Sequence, residues 1–95
     1  MGLNSHYTYL IISKKKQIYK TYVGYTTNIK KRINAHNNNK GAKNTKGRKW
    51  KLIYKKKFSD KKKALKFEYY FKKNRKLRNY IKKKFITNYE KKINS

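Results

Sequence analysis

Cysteine is absent from the 95 residues, which excludes a disulfide framework and a cysteine-based zinc site. No run of 18 or more apolar residues occurs, which excludes a transmembrane helix. The N-terminus carries neither the charged n-region nor the long apolar h-region of a signal peptide, so the expected location is intracellular, cytoplasmic or nuclear according to source. Acids are nearly missing: three Asp and Glu stand against 30 Lys and Arg, for a net charge of +27. AT-rich coding favours Lys, Asn, Ile and Tyr together, but it favours Glu and Asp codons as well. Coding bias therefore accounts for lysine as the cation and not for the missing anions. Such a field repels itself in a compact chain and is relieved by a polyanion, and nucleic acid is the polyanion this composition suits. A membrane-active cationic peptide suits it less, because the helices lack a clean apolar face opposite their lysines.

The length allows one domain with a small core. Hydrophobic residues are 36% of the chain and include ten tyrosines, so part of that core is built from rings with polar tips. Two β-prone runs, Tyr7 to Ser13 and Ile18 to Gly24, flank the polar break Lys14 to Gln17 and predict a hairpin. The near-continuous first run predicts a strand covered on both faces. Asn28 can cap a helix carrying Ile29 and Ile33 and ending in Asn37 to Asn39. Lys40 to Lys49, with Gly41 and Gly47, reads as a mobile basic loop, and Trp50 to Tyr54 as a third strand. Ser59 or Asp60 can cap a second helix through Ala64, Leu65, Glu68 and Phe71. A third, short helix is expected from Arg75 or Lys76 to about Lys84, followed by a polar, disordered stretch from Thr87 to Ser95. The expected fold class is α/β (α+β): a small three-stranded antiparallel sheet flanked by helices, in the order β-β-α-β-α-α.

Arg32 and His36 lie four apart on one helix and so share a face. Glu68 is one of three acids and is set among Phe67, Tyr69, Tyr70 and Phe71. An unpaired carboxylate in such company is costly and calls for a cation or a metal. Asp60 is explained as a helix cap, and Glu90 falls in the expected tail. Tyr7-Thr8-Tyr9 followed by Tyr22-Val23-Gly24, then Arg32 with His36, then Ala64 to Glu68, resembles in order the elements of the GIY-YIG nuclease superfamily. Tyr7 stands where the family name has Gly. The stretch Gly41 to Trp50 with Phe67-Glu68-Tyr69 resembles the nuclease domain of Slx-type structure-specific endonucleases, and also the small stand-alone bacterial GIY-YIG proteins. The RING-like zinc domain of the eukaryotic Slx-type subunit has no counterpart in a chain without cysteine.

The resemblance implies a nuclease domain over residues 1–84 and a basic C-terminal extension over 85–95. It implies catalytic roles for Tyr9, Tyr22, Arg32, His36 and Glu68, with Glu68 binding Mg²⁺ or Mn²⁺. The implied substrate is DNA, branched or flap-containing; no membrane is involved and no protein partner is assigned. The chemistry is consistent with these residue types. Phosphodiester hydrolysis needs an attacking water, a proton acceptor and positive charge for the transition-state oxygens. A hard cation accepts one carboxylate and completes its shell with waters and phosphate oxygens. Tyr22 is the favoured proton acceptor, with Tyr9 orienting water or phosphate and His36 assisting through a hydrogen bond; the reverse assignment of the two tyrosines stays open. Lys31, Lys40, Lys43, Lys46, Arg48 and Lys49 are the expected phosphate contacts. Against these stand plainer readings: core aromatics for Tyr9 and Tyr22, a surface residue for His36, solvated faces for Arg32 and the loop, and a core residue for Trp50. A non-catalytic basic DNA- or RNA-binding module is the second functional reading, and it has no use for the carboxylate of Glu68.

Overall fold

The computed structural model describes residues 5–93. Among them, three strands and three helices follow the order β1 (His6–Lys15), β2 (Ile18–Thr26), α1 (Ile29–Asn37), β3 (Lys51–Phe58), α2 (Lys61–Lys73) and α3 (Arg75–Ile93), with one 3₁₀ turn at Lys43–Thr45. The sheet order is β2-β1-β3 and both pairings are antiparallel. The expected fold class and element order hold.

The apolar run of β1 makes it the central strand, and Thr8 to Ser13 are buried on both faces. Strand alternation then divides the core. Tyr9, Ile11 and Trp50 pack with Tyr22, Leu52 and the α1 residues Ile29 and Ile33 on one face. Leu10, Val23 and Phe71 pack with Phe67, Leu77 and Ile81 of α2 and α3 on the other. The β1–β2 turn is only Lys16 and Gln17, both with left-handed backbone (φ 51° and 69°), so the strands run further than the apolar pattern marks. A two-residue turn of this kind is ordinarily announced by Asn-Gly.

Local chemistry fixes the helix ends. The Asn28 side chain accepts from Lys31 N at 3.0 Å and that of Asp60 from Lys62 N at 2.8 Å. Asn74 ends α2 and caps α3, accepting from Leu77 N at 3.1 Å. The Thr8 hydroxyl donates to Ala64 O at 2.7 Å and ties α2 to the central strand.

Three expectations need correction. β3 starts at Lys51 and continues to Phe58 instead of ending at Tyr54; Lys55 to Lys57 are exposed and pair with β1 along the backbone ladder, with Lys55 Nζ also over the Tyr7 ring at 5.7 Å. Lysines are ordinary on an edge strand, where they discourage further pairing. α3 does not end near Lys84 but runs to Ile93, because Phe85 and Tyr89 extend the Leu77–Ile81 stripe at a spacing of four and give the second half of the helix something to pack. Residues 94 and 95 of the expected extension, like residues 1–4, lie outside the described residues. The Lys40–Lys49 segment is tethered at its centre: Thr45 is fully buried and Trp50 Nε1 donates to its carbonyl at 2.8 Å. Among the described residues no helix is long and apolar enough to cross a membrane.

Candidate active site

The register places Tyr9 opposite Gly24, so the two tyrosine-containing motifs meet across one strand pair. A Cβ at Gly24 would fall on the Tyr9 ring and hydroxyl, which is why only glycine suits that position. α1 lies over this face and brings Arg32 and His36 onto the same hydroxyl. Tyr9 Oη and His36 Nε2 are 2.7 Å apart, and Arg32 Nε donates to Tyr9 Oη at 3.4 Å.

The chain of hydrogen bonds continues inward. His36 Nδ1 lies 2.9 Å from Thr45 Oγ1, whose single proton is donated to Ala42 O at 2.9 Å. With that proton on Ala42 O, Thr45 accepts from His36 and the imidazole is assigned its proton on Nδ1. Nε2 is then a bare lone pair, and Tyr9 donates to it. Burial lowers the His36 pKa below its ordinary value of 6.5, and the Arg32 charge lowers it further, so the ring is neutral. Burial raises the Tyr9 pKa above 10.0 despite the hydrogen bond and charge of Arg32. Tyr9 is thus a neutral, committed donor.

Tyr22 is placed differently. Its ring meets His36 edge-on at 5.3 Å and Trp50 at 6.5 Å. It is only half-buried, and its hydroxyl has no protein partner among the described residues. Glu68, on α2, is half-buried; its Oε2 is 3.5 Å from Lys72 Nζ one turn on. The Glu68 charge reaches Tyr9, where it opposes ionisation.

Of the sequence candidates, Tyr9, Tyr22, Arg32 and His36 are in contact with one another and Glu68 acts on Tyr9 through its charge, and the fold adds two supporting residues that no periodicity marks. Thr45 fixes the imidazole tautomer. Gly41 lets the loop pass His36, since a Cβ there would fall on the imidazole. Of the expected phosphate contacts, Lys31, Lys40, Lys43, Lys46 and Lys49 are exposed. Lys49 Nζ donates to Asn37 O at 3.2 Å. Arg48 is half-buried and holds the hairpin, with Nε on Ser13 Oγ at 3.1 Å and Nη2 on Ile18 O at 3.1 Å.

Residues 5–82 match the family model of the GIY-YIG catalytic domain. The chain belongs to the GIY-YIG family. Relatives of this GIY-YIG chain include a UPF0213 protein of Bacillus licheniformis, 47% identical over 74 residues, covering 77% of this chain and 73% of the relative. A UPF0213 protein of Clostridium perfringens is 45% identical over 95 residues and covers 94% of this chain and 98% of the relative. The solution NMR structure of a UPF0213 protein from Bacillus halodurans is 36% identical, with 82% of this chain and 83% of that chain covered and a TM-score of 0.44. Relatives of this kind are the small stand-alone GIY-YIG proteins that the motifs resemble.

The neutral His36 gives this GIY-YIG domain a pH signature. The unfolded chain binds the His36 proton near pH 6.5, whereas the folded chain binds it only at lower pH. Stability from this group is fully present above pH 6.5 and is lost as pH falls towards the folded-state value, with a slope of at most about 1.4 kcal/mol per pH unit for one proton. Thermal melts between pH 8 and 5 at constant ionic strength should be level at first and then decline below about pH 6.5, with His36→Gln flattening the decline. A level profile for the parent protein throughout would contradict a neutral, buried His36.

Proposed function

We propose that this chain is a divalent-metal-dependent endonuclease that hydrolyses DNA phosphodiester bonds, with branched or flap-containing DNA as its substrate class. The observation that carries the reading is the division of labour between the two tyrosines. Tyr9 is locked between Arg32 and His36, while Tyr22 beside them is half-buried and its hydroxyl joins no hydrogen bond among the described residues. Tyr22 Oη is therefore the proton acceptor for the attacking water. Tyr9, held by the His36 lone pair, keeps its other face for water or a phosphate oxygen. The Arg32 guanidinium binds the Tyr9 hydroxyl through Nε, and its two terminal nitrogens remain for the scissile phosphate.

Glu68 suits a metal of the Mg²⁺ type. Its carboxylate is half-buried and its sole ion pair among the described residues is the 3.5 Å contact with Lys72, whose side chain is 54% exposed and so easily displaced. A hard cation of this type can be held by one carboxylate together with waters and substrate oxygens. Such a metal supplies charge for the developing oxyanion and lowers the pKa of its bound water. The preference for branched or flap DNA rests on the resemblance of Gly41 to Trp50 and Phe67 to Tyr69 to the Slx-type nuclease domain.

Tyr22→Phe and Tyr9→Phe test the division. Tyr22→Phe keeps the ring and removes the acceptor, so single-turnover cleavage should fall about 10²- to 10⁴-fold, the usual worth of a general base. Tyr9→Phe should cost less activity but more stability, because it leaves the buried His36 Nε2 without a partner. Full activity in Tyr22→Phe with loss in Tyr9→Phe would reverse the two roles.

A further inference from the structure

Three cavities adjoin at the hairpin end of the sheet, and none is lined by Tyr9, Tyr22, Arg32, His36 or Glu68. The first, about 290 Å³, is bordered by Lys14, Lys15, Arg48 and Lys49. The second, about 300 Å³, shares Lys14 and Lys49 with the first and adds Tyr19, Trp50, Phe85 and Tyr89. The third, about 280 Å³, shares Lys51, Phe85 and Tyr89 with the second. Shared walls set them side by side as a grooved surface, with lysines along its length and aromatic rings at its middle. The second half of α3, which extends past Lys84, forms one wall.

The groove has the two components of a single-strand site. Phe85 and Tyr89 stack with centroids 5.9 Å apart and planes 20° from parallel, and Tyr89 is 38% exposed. Lys14 Nζ stands 5.4 Å from the Tyr19 ring and Lys51 Nζ 5.5 Å from the Tyr89 ring. Each ring thus carries an ammonium over its face, on a flexible stem that a stacking base would displace towards its own phosphate. The Tyr19 hydroxyl, in the same wall, is buried without a hydrogen-bond partner. Aromatic stacking joined to a cationic track is how unpaired strands are held without regard to sequence. A duplex hides its base faces and offers only phosphates to such a groove.

We propose that this groove binds an unpaired nucleic-acid strand, with a base stacked against Tyr89 and the adjoining phosphates on Lys14, Lys49 and Lys51. The proposal rests on the nucleic-acid part of the reading above and not on its cleavage chemistry. It gives a flap or branch a place on the protein away from the scissile bond.

The test is fluorescence anisotropy without metal, using a labelled thymidine oligomer and an abasic deoxyribose-phosphate oligomer of the same length and charge. Stacking contributes about 1–3 kcal/mol per base, so the base-bearing oligomer should bind about 5- to 150-fold tighter. Tyr89→Leu keeps an apolar residue and removes the ring; it should erase most of that preference while leaving the abasic affinity unchanged. Trp50, the sole tryptophan, lines the groove and should change fluorescence with the base-bearing oligomer only. Equal affinity of the parent protein for both oligomers overturns the proposal, and that comparison needs no variant. So does a Tyr89→Leu variant, helical by circular dichroism, that retains the preference, or one that loses both affinities in proportion. Because no metal is present, these outcomes are independent of whether the protein cleaves DNA.

Discussion

Glu68→Gln should abolish metal-dependent cleavage, lowering the single-turnover rate at least about 10³-fold, since a bound cation contributes several kcal/mol of transition-state charge stabilisation. No other acid can take its place. The chain has three, the Asp60 carboxylate is spent on the α2 N-terminus at 2.8 Å, and Glu90 is exposed on the outer half of α3. The substitution preserves shape and removes one charge. Stability should hardly change, because the ion pair it breaks is a 3.5 Å contact to an exposed lysine, and such pairs contribute about 0–1 kcal/mol. DNA affinity without metal should hold or rise, since a negative charge beside phosphate is gone. A rate within threefold of the parent protein at saturating Mg²⁺ would remove Glu68 from the mechanism. Loss of rate together with a large fall in melting temperature would mean that Glu68 holds the fold.

Arg32→Ala should lower the cleavage rate about 10²-fold or more, as the loss of a preorganised transition-state donor does. Binding should weaken only slightly, because 29 of the 30 Lys and Arg remain. Arg32 also helps to hold the His36 pKa down, so in Arg32→Ala the imidazole should take its proton at higher pH and the acid side of the pH–rate profile should shift upward. Arg32→Lys should restore part of the rate and none of the two-pronged geometry. Single-turnover rates across pH for the three proteins give both readings. An unchanged rate in Arg32→Ala would leave Arg32 as a support for Tyr9 and nothing more.

What the sequence reveals about this molecule follows from what is local. Asn28 and Asp60 cap helices through bonds to residues two or three positions on, and Arg32 and His36 share a face because four residues make about one helical turn. The near-continuous apolar run from Tyr9 to Ile12 marks a strand buried on both faces, and β1 is that strand. The extent of β3 and α3 is hidden because exposed lysines fill both elements and mask their patterns: β3 past Tyr54 is held by backbone pairing, and the α3 stripe is four residues among many cations. The Tyr9–His36 bond joins residues 27 apart and the His36–Thr45 bond reaches into a lysine-rich loop without periodicity. Gly41 reads as a flexible loop residue until the His36 ring is seen against it.

Cleavage of end-labelled single-stranded, duplex, flap and four-way-junction DNA under single-turnover conditions, with Mg²⁺ and with EDTA, decides whether this protein is a nuclease. Cuts are expected only with Mg²⁺, strongest on the flap and junction, and none in Glu68→Gln at the same protein concentration. Intact DNA in every lane, with the parent protein bound to all four substrates, would contradict it and leave a basic binding module in place of a nuclease.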